Sequence, residues 1–195
     1  MGIAVPGVAV GTWALWGISA ASGVSAGIRS KRMRDKSGAA LLHRDHGSRA
    51  IIVFGTYVLI AAEFVLRFNR IGWVSGPWLL AGQLIVLFGI ALRYWALMVL
   101  GRFYTTAVAV QGEQTLVQRG PYRIIRHPAY SGGLLILFGF GFALNTWVGA
   151  VIGVTVLFAM YAYRIAVEEK VMLETFGDDY RDYMRRTRRL FPGVW

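Results

Sequence analysis

Residues 127–163 read HPAYSGGLLILFGFGFALNTWVGAVIGVTVLFAMYAY, with no aspartate, glutamate, lysine or arginine. The stretch is long enough for two helices, and Asn145-Thr146 in its middle marks a tight turn. A spanning helix needs about 20 mostly apolar residues. A helix apolar on every side belongs in a membrane or a large core. Met1 to Ile28 and Ile71 to Leu92 are uncharged as well. The chain has 195 residues, 56% hydrophobic and 16% charged, where a typical soluble domain is about 25% charged. This excludes a soluble enzyme, a disordered protein and a secreted disulfide scaffold. There is no cysteine, so disulfides, thiolate metal sites and cysteine nucleophiles are excluded together.

Working outward from the uncharged stretch gives an all-α, multi-pass helical bundle of five spans. Their approximate limits are Ile3–Ile28, Ala50–Leu66, Trp78–Leu100, Ala129–Leu144 and Trp147–Val167. The last is expected to emerge from the membrane as a helix. The first is expected to be a retained span rather than a signal peptide. No Lys or Arg precedes it, and it is too long for a typical signal core. The expected organisation is one integral membrane domain over 1–195. Residues 1–100 supply three spans. Residues 101–195 supply two spans, a cytoplasmic pocket and a C-terminal amphipathic helix ended by Pro192.

Charge orients the spans. Residues 29–49 carry seven Lys/Arg, 93–128 carry five and 164–195 carry seven; the turn 67–72 carries two and Asn145-Thr146 none. Five spans put the three rich segments on one side, which the positive-inside rule makes cytoplasmic. The net charge of +11 is then accounted for by membrane lipids, and nucleic acid is not an expected partner. Glu63 lies four residues before Arg67, the favourable order for a helix pair, so it is expected to pair with Arg67 near a membrane surface. Gly7/Gly11, Gly23/Gly27 and Gly149/Gly153 have the spacing of close helix contacts. Chance, internal packing and dimerisation all account for them, and oligomeric state stays open.

The informative polar residues lie in three late segments. In Arg126-His127-Pro128-Ala129-Tyr130-Ser131-Gly132, proline suits the first turn of the fourth span. The free amides of that helix start would attract a carboxylate or phosphate. In Tyr161-Ala162-Tyr163-Arg164-Ile165-Ala166-Val167-Glu168-Glu169, the residues Tyr161, Arg164 and Glu168 share one helix face. Glu169 points about 100° away. Glu168 is therefore the expected pocket acid; a surface Arg164–Glu168 pair of little worth is the plain alternative. In Phe176-Gly177-Asp178-Asp179-Tyr180-Arg181-Asp182-Tyr183, Asp178 or Asp179 would cap a helix with Phe176, Tyr180 and Tyr183 on one face. That helix would lie on the membrane surface or across the pocket as a lid. No acid stands at metal-ligand spacing from His127, so no metal is expected.

These segments together resemble the isoprenylcysteine carboxyl methyltransferase family and its phospholipid methyltransferase relatives. The resemblance runs over about residues 101–192. It is carried by Gln114-Thr115-Leu116-Val117, Gly120-Pro121-Tyr122, the Arg126–Gly132 run, Arg164 with Glu168-Glu169, and Phe176-Gly177-Asp178-Asp179-Tyr180. It implies an integral membrane enzyme using S-adenosyl-L-methionine. It also implies that Gln114, Thr115, Leu116, Val117, Tyr122, His127, Pro128, Ala129, Tyr130 and Glu168 line the cofactor site. Arg164 would face a lipid or prenylated acceptor, and Arg164, Glu168 and His127 would carry the catalysis. Gln114 stands where the family often has histidine; glutamine still donates and accepts hydrogen bonds but does not titrate. The family's upstream glutamine corresponds to Ala107. The acceptor stays open among a prenyl-cysteine carboxylate, a phospholipid amine and a small thiol. A sterol or isoprenoid reductase and a small transporter or scaffold stay as other classes.

Overall fold

The computed structural model describes residues 42–43, 48–101, 109–110 and 115–193. The expected first span and Gln114 lie outside them. Four apolar helices form the body: α1 (Ser48–Phe68), α2 (Pro77–Leu100), α3 (Pro128–Ala143) and α4 (Trp147–Phe176). A short α5 (Asp178–Arg186) follows α4. A 3₁₀ turn spans Gly120–Arg123. Two-residue strands β1 (Leu42–His43) and β2 (Ala109–Val110) pair antiparallel. This pairing joins two of the basic segments.

Local chemistry sets the helix limits. Pro77 and Pro128 open α2 and α3 at a position that needs no N–H. Thr146 caps α4, its hydroxyl accepting the Gly149 amide at 3.0 Å. Gly101 and Gly177 end α2 and α4 at positive φ. Three helices, α1, α2 and α4, are long and apolar enough to cross a membrane. α3, the expected fourth span, has 16 residues, about 24 Å at 1.5 Å per residue, against a hydrocarbon core of about 30 Å. It is packed on both sides and does not meet lipid alone. Glycines bring α2 and α3 into backbone contact: a Cβ on Gly132 would lie 2.6 Å from the Gly89 carbonyl oxygen, and one on Gly139 2.6 Å from that of Gly82.

The core runs through Leu59, Leu134, Leu137, Leu157, Tyr161 and Ile165 and reaches Leu190 near the C-terminus. Large apolar side chains such as Phe54, Leu80, Phe88 and Ile152 stand exposed on the outer faces of α1, α2 and α4, as a lipid-facing exterior requires. At one end the α1–α2 turn is tied to the α3–α4 turn. The Val74 amide donates to the Asn145 carbonyl at 3.0 Å, the Trp147 amide to Gly72 at 3.0 Å, and the Thr146 hydroxyl to Ile71 at 2.9 Å. The opposite end holds the start of α3, the polar part of α4, and α5.

The structure corrects the expectations for Glu63 and for the last helix. Glu63 does not pair with Arg67: its carboxyl is buried and neither oxygen has a hydrogen-bond partner among the described residues. Arg67 lies over the Trp73 ring instead, 5.0 Å from its centroid, with Arg70 at 5.6 Å. The Glu63 carboxyl turns inward because Gly149 and Gly153 leave room; a Cβ on Gly153 would sit 2.9 Å from Oε1. That glycine pair therefore serves packing within the chain.

The last helix also differs. Neither Asp178 nor Asp179 caps it; Gly177 stands at the cap, and Asp178 accepts from Arg181 at 2.5 Å. The helix stops at Arg186 rather than at Pro192. Tyr180 and Tyr183 are buried against the protein, so the aromatic face is spent inward and not on the membrane surface. Burial pushes both phenols up; the Tyr183 hydroxyl donates to the Tyr122 carbonyl at 2.7 Å.

Candidate active site

The residue before Pro128 is disfavoured in helical geometry, and His127 indeed sits at φ −125°, ψ 56°, one step ahead of α3. Its backbone is held on both sides. The amide donates to the Arg189 carbonyl at 3.0 Å, and the carbonyl accepts the Tyr130 and Ser131 amides at 3.0 and 3.1 Å. Pro128 has no N–H. The start of α3 therefore offers a ligand at most the Ala129 amide, fewer than the sequence suggests. The Ala129 carbonyl accepts from Arg93 of α2 at 3.0 Å.

α4 passes beside this point. The Tyr130 hydroxyl donates to Glu168 Oε1 at 2.5 Å and accepts from Arg164 Nε at 3.2 Å; Arg164 Nε also reaches Glu168 Oε1 at 2.8 Å. The Tyr130 ring packs on Tyr161, with centroids 4.6 Å apart. Arg164 is 3% exposed. The pair with Glu168 is thus a buried, shared network and not the surface contact of the plain alternative. The other Glu168 oxygen, Oε2, lies 3.6 Å from His127 Nδ1, and the side chain is 23% exposed.

Tyr122 is buried in the 3₁₀ turn and tied to α5. Thr115, Leu116 and Val117 form an extended, partly exposed run just before it. Pro128 is buried and Ala129 half-buried at the helix start. The structure thus gathers His127, Tyr130, Arg164 and Glu168 into one cluster.

Sequence reasoning missed the second acid. Glu169 is 4% exposed. Its Oε1 accepts from Arg126 Nε at 2.9 Å and its Oε2 from Arg189 Nε at 2.9 Å, with His127 Nε2 3.5 Å from Oε1. Arg126 also donates to the Thr187 and Met184 carbonyls, at 2.6 and 3.1 Å. Residues 188–190 lie along the chain at 124–131: Arg126 donates its amide to Arg188, Arg188 to Ile124, and the Ser131 hydroxyl to Leu190 at 2.5 Å. The only sequence signal was the doubled glutamate.

Burial alone would raise the Glu169 carboxyl. The His127 imidazole and the hydrogen bonds from Arg189 and Arg126 overcome it and hold the group at about 2. A depressed carboxyl stabilises the fold fully above its ordinary value of 4.5 and loses that contribution as pH falls toward 2. Melting temperature should therefore fall more steeply from pH 4.5 to 2 in the parent protein than in Glu169→Gln. Parallel slopes in detergent melts would disprove this.

The family model described as phospholipid methyltransferase matches residues 77–179. The chain belongs to this family. That span contains α2, α3, the His127 cluster and the polar part of α4. As a family member the chain is a membrane methyltransferase, and the reductase and transporter readings fall away. It is 28% identical to protein-S-isoprenylcysteine O-methyltransferase B of Arabidopsis thaliana over 80% of this chain and 78% of that protein. It is 33% identical to the A form from the same plant, over 63% of this chain and 61% of that protein. Among solved structures it is similar to a eukaryotic intramembrane Ras methyltransferase, an isoprenylcysteine carboxyl methyltransferase. The TM-score is 0.59 and the identity 21%, covering 78% of this chain and 55% of that one. The fold is thus that of an intramembrane methyltransferase. The methyltransferase spans little more than half the length of that solved chain.

Proposed function

We propose that the chain methylates the C-terminal carboxylate of an isoprenylcysteine, or of a similar lipid-linked acceptor, with S-adenosyl-L-methionine as donor. The observation that carries this reading is the buried Arg164 at the polar end of α4, inside a cluster with more guanidinium than carboxylate charge. Arg126, Arg164 and Arg189 face Glu168 and Glu169. Such a cluster favours a bound carboxylate. The names of the relatives point to the same acceptor.

The donor set suits the amino-acid end of the donor. Glu168 Oε2 stands 3.6 Å from His127 Nδ1 on a side chain 23% exposed, accessible enough for an ammonium. Among the described residues His127 Nε2 is buried without a hydrogen bond, a polar atom that a nearby ligand would help to orient. Glu168 and His127 would hold that end, with Tyr130 fixing Glu168 and the 115–117 run and Tyr122 forming the adjoining wall. When bound, S-adenosyl-L-methionine supplies a methyl group on a sulfonium for in-line displacement by a carboxylate, a transfer that moves no proton. The acceptor is already ionised at pH 7, so the chain needs no general base. Its task is to aim the acceptor and keep water out. Arg164 aims the carboxylate while the lipid tail stays among the spans, entering sideways.

The family's own description favours a second reading, a phospholipid amine. Labelled-methyl transfer with purified protein separates them. Farnesyl-cysteine analogues should accept label that mild base releases, as from an ester. Base-stable label on phosphatidylethanolamine, or on a simple thiol, would overturn the carboxylate reading.

The same reading places residues 1–195 in one membrane domain of five spans, in the cell membrane, with 101–195 as the catalytic region facing the cytoplasm. Reporters at residue 40 and at the C-terminus should read cytoplasmic, and one at the N-terminus outside. Both termini on one side would contradict the count.

A further inference from the structure

Glu169 and the segment after α5 hold the same histidine from two directions. The carboxylate takes Arg126 on one oxygen and Arg189 on the other, at 2.9 Å each. Arg126 is the residue before His127, and Arg189 supplies the carbonyl that accepts the His127 amide. The imidazole itself lies between the two adjacent acids, 3.6 Å from Glu168 Oε2 and 3.5 Å from Glu169 Oε1. Ser131, one turn into α3 and fully buried, is bonded to the Leu190 carbonyl at 2.5 Å. Three stretches of chain therefore meet at Glu169: α4 itself, residues 126–127 and Arg189. Its exposure is too low for a role on solvent, and its partners leave it no oxygen for a ligand.

We propose that Glu169 is a positioning residue, which fixes the His127 ring through Arg126 and the Arg189 strap while its neighbour Glu168 faces the ligand. The two acids then divide the work: one oxygen of Glu168 is left for a cation, and both oxygens of Glu169 serve the scaffold. This deepens the proposed function, because the ring it fixes is one that reading assigns to the donor. The 188–190 strap belongs to the same device. It is the only described element that reaches the His127 backbone from outside α3 and its approach.

The test is a mutant cycle on donor affinity, read by calorimetry with S-adenosyl-L-methionine on Glu169→Gln, His127→Ala and the double variant. Residues that act through one another give non-additive changes. Glu169→Gln should weaken binding about tenfold in the parent and less than twofold in the His127→Ala background. Fully additive losses would overturn the proposal, making Glu169 general scaffold. A second readout needs no donor. In protein with labelled histidine, the His127 ring ¹⁵N resonances should shift or broaden in Glu169→Gln at a pH where the melt is unchanged. Unchanged ring resonances would overturn the proposal. If the parent binds no donor while the ring still responds to Glu169→Gln, the functional reading fails and the positioning role stands. If the parent binds donor and the cycle is additive, the reverse holds.

Discussion

Gly132→Leu should leave no monodisperse protein in detergent. A Cβ at Gly132 would stand 2.6 Å from the Gly89 carbonyl oxygen and 3.0 Å from the Arg93 amide nitrogen. Both are backbone atoms of α2, so no side chain can swing away. Extra core atoms commonly cost about 1–3 kcal/mol where neighbours can shift; here a whole helix must move. Helix pairs in lipid are held by van der Waals contact and by hydrogen bonds, with no hydrophobic term to restore them. The same shift would break the Arg93 hydrogen bond to Ala129, 3.0 Å long, beside His127. Leu84→Ala on the exposed face of α2 is the control and should behave as the parent does. A Gly132→Leu protein with parental elution and melting would mean that α2 and α3 do not meet through their glycines.

Arg164 variants should separate holding the fold from aiming the acceptor. Arg164→Ala leaves Glu168 and the Tyr130 hydroxyl without their cation in a mostly buried site. Breaking a buried pair costs about 3–5 kcal/mol, so a steep loss of melting temperature is expected. Arg164→Lys keeps the charge and loses the planar fork. If Arg164 aims the acceptor carboxylate, turnover should fall by about a hundredfold, the scale on which small misplacements act. Donor affinity should then change little. If Arg164 only steadies Glu168, donor affinity should weaken and turnover at saturating donor should hold. Measuring both constants in Arg164→Lys decides between them. Normal turnover with a prenyl-cysteine acceptor would exclude the aiming role.

Much of the cluster was legible in the sequence because it depends on local periodicity. Tyr161, Arg164 and Glu168 fall on one face at helical spacing, and Pro128 fixes where α3 starts. Tyr130 joins them because α3 and α4 form a hairpin, which the Asn145-Thr146 turn announced. What escaped depends on contacts between distant segments. The bonding of 188–190 to 124–131 joins stretches about 60 residues apart and has no local pattern, so the residues after Arg186 read as more helix. Helix geometry aims Glu169 away from the face of Glu168, and it does point away, toward Arg126 and Arg189. Glu63 misled for the opposite reason. The four-residue rule describes an isolated helix, and in the bundle the Gly149/Gly153 face accommodates the carboxyl while Trp73 takes Arg67.

The central claim is that His127 and Glu168 form the methyl-donor site at the polar end of α4. Calorimetric titration of S-adenosyl-L-methionine into the parent protein and Glu168→Gln tests it most directly. Losing one hydrogen bond to a charged group costs about 1.5–3 kcal/mol. The dissociation constant should therefore rise about tenfold to a hundredfold in Glu168→Gln, in protein that still elutes as a single folded species. Equal affinity in the two proteins would place the donor elsewhere and contradict the account.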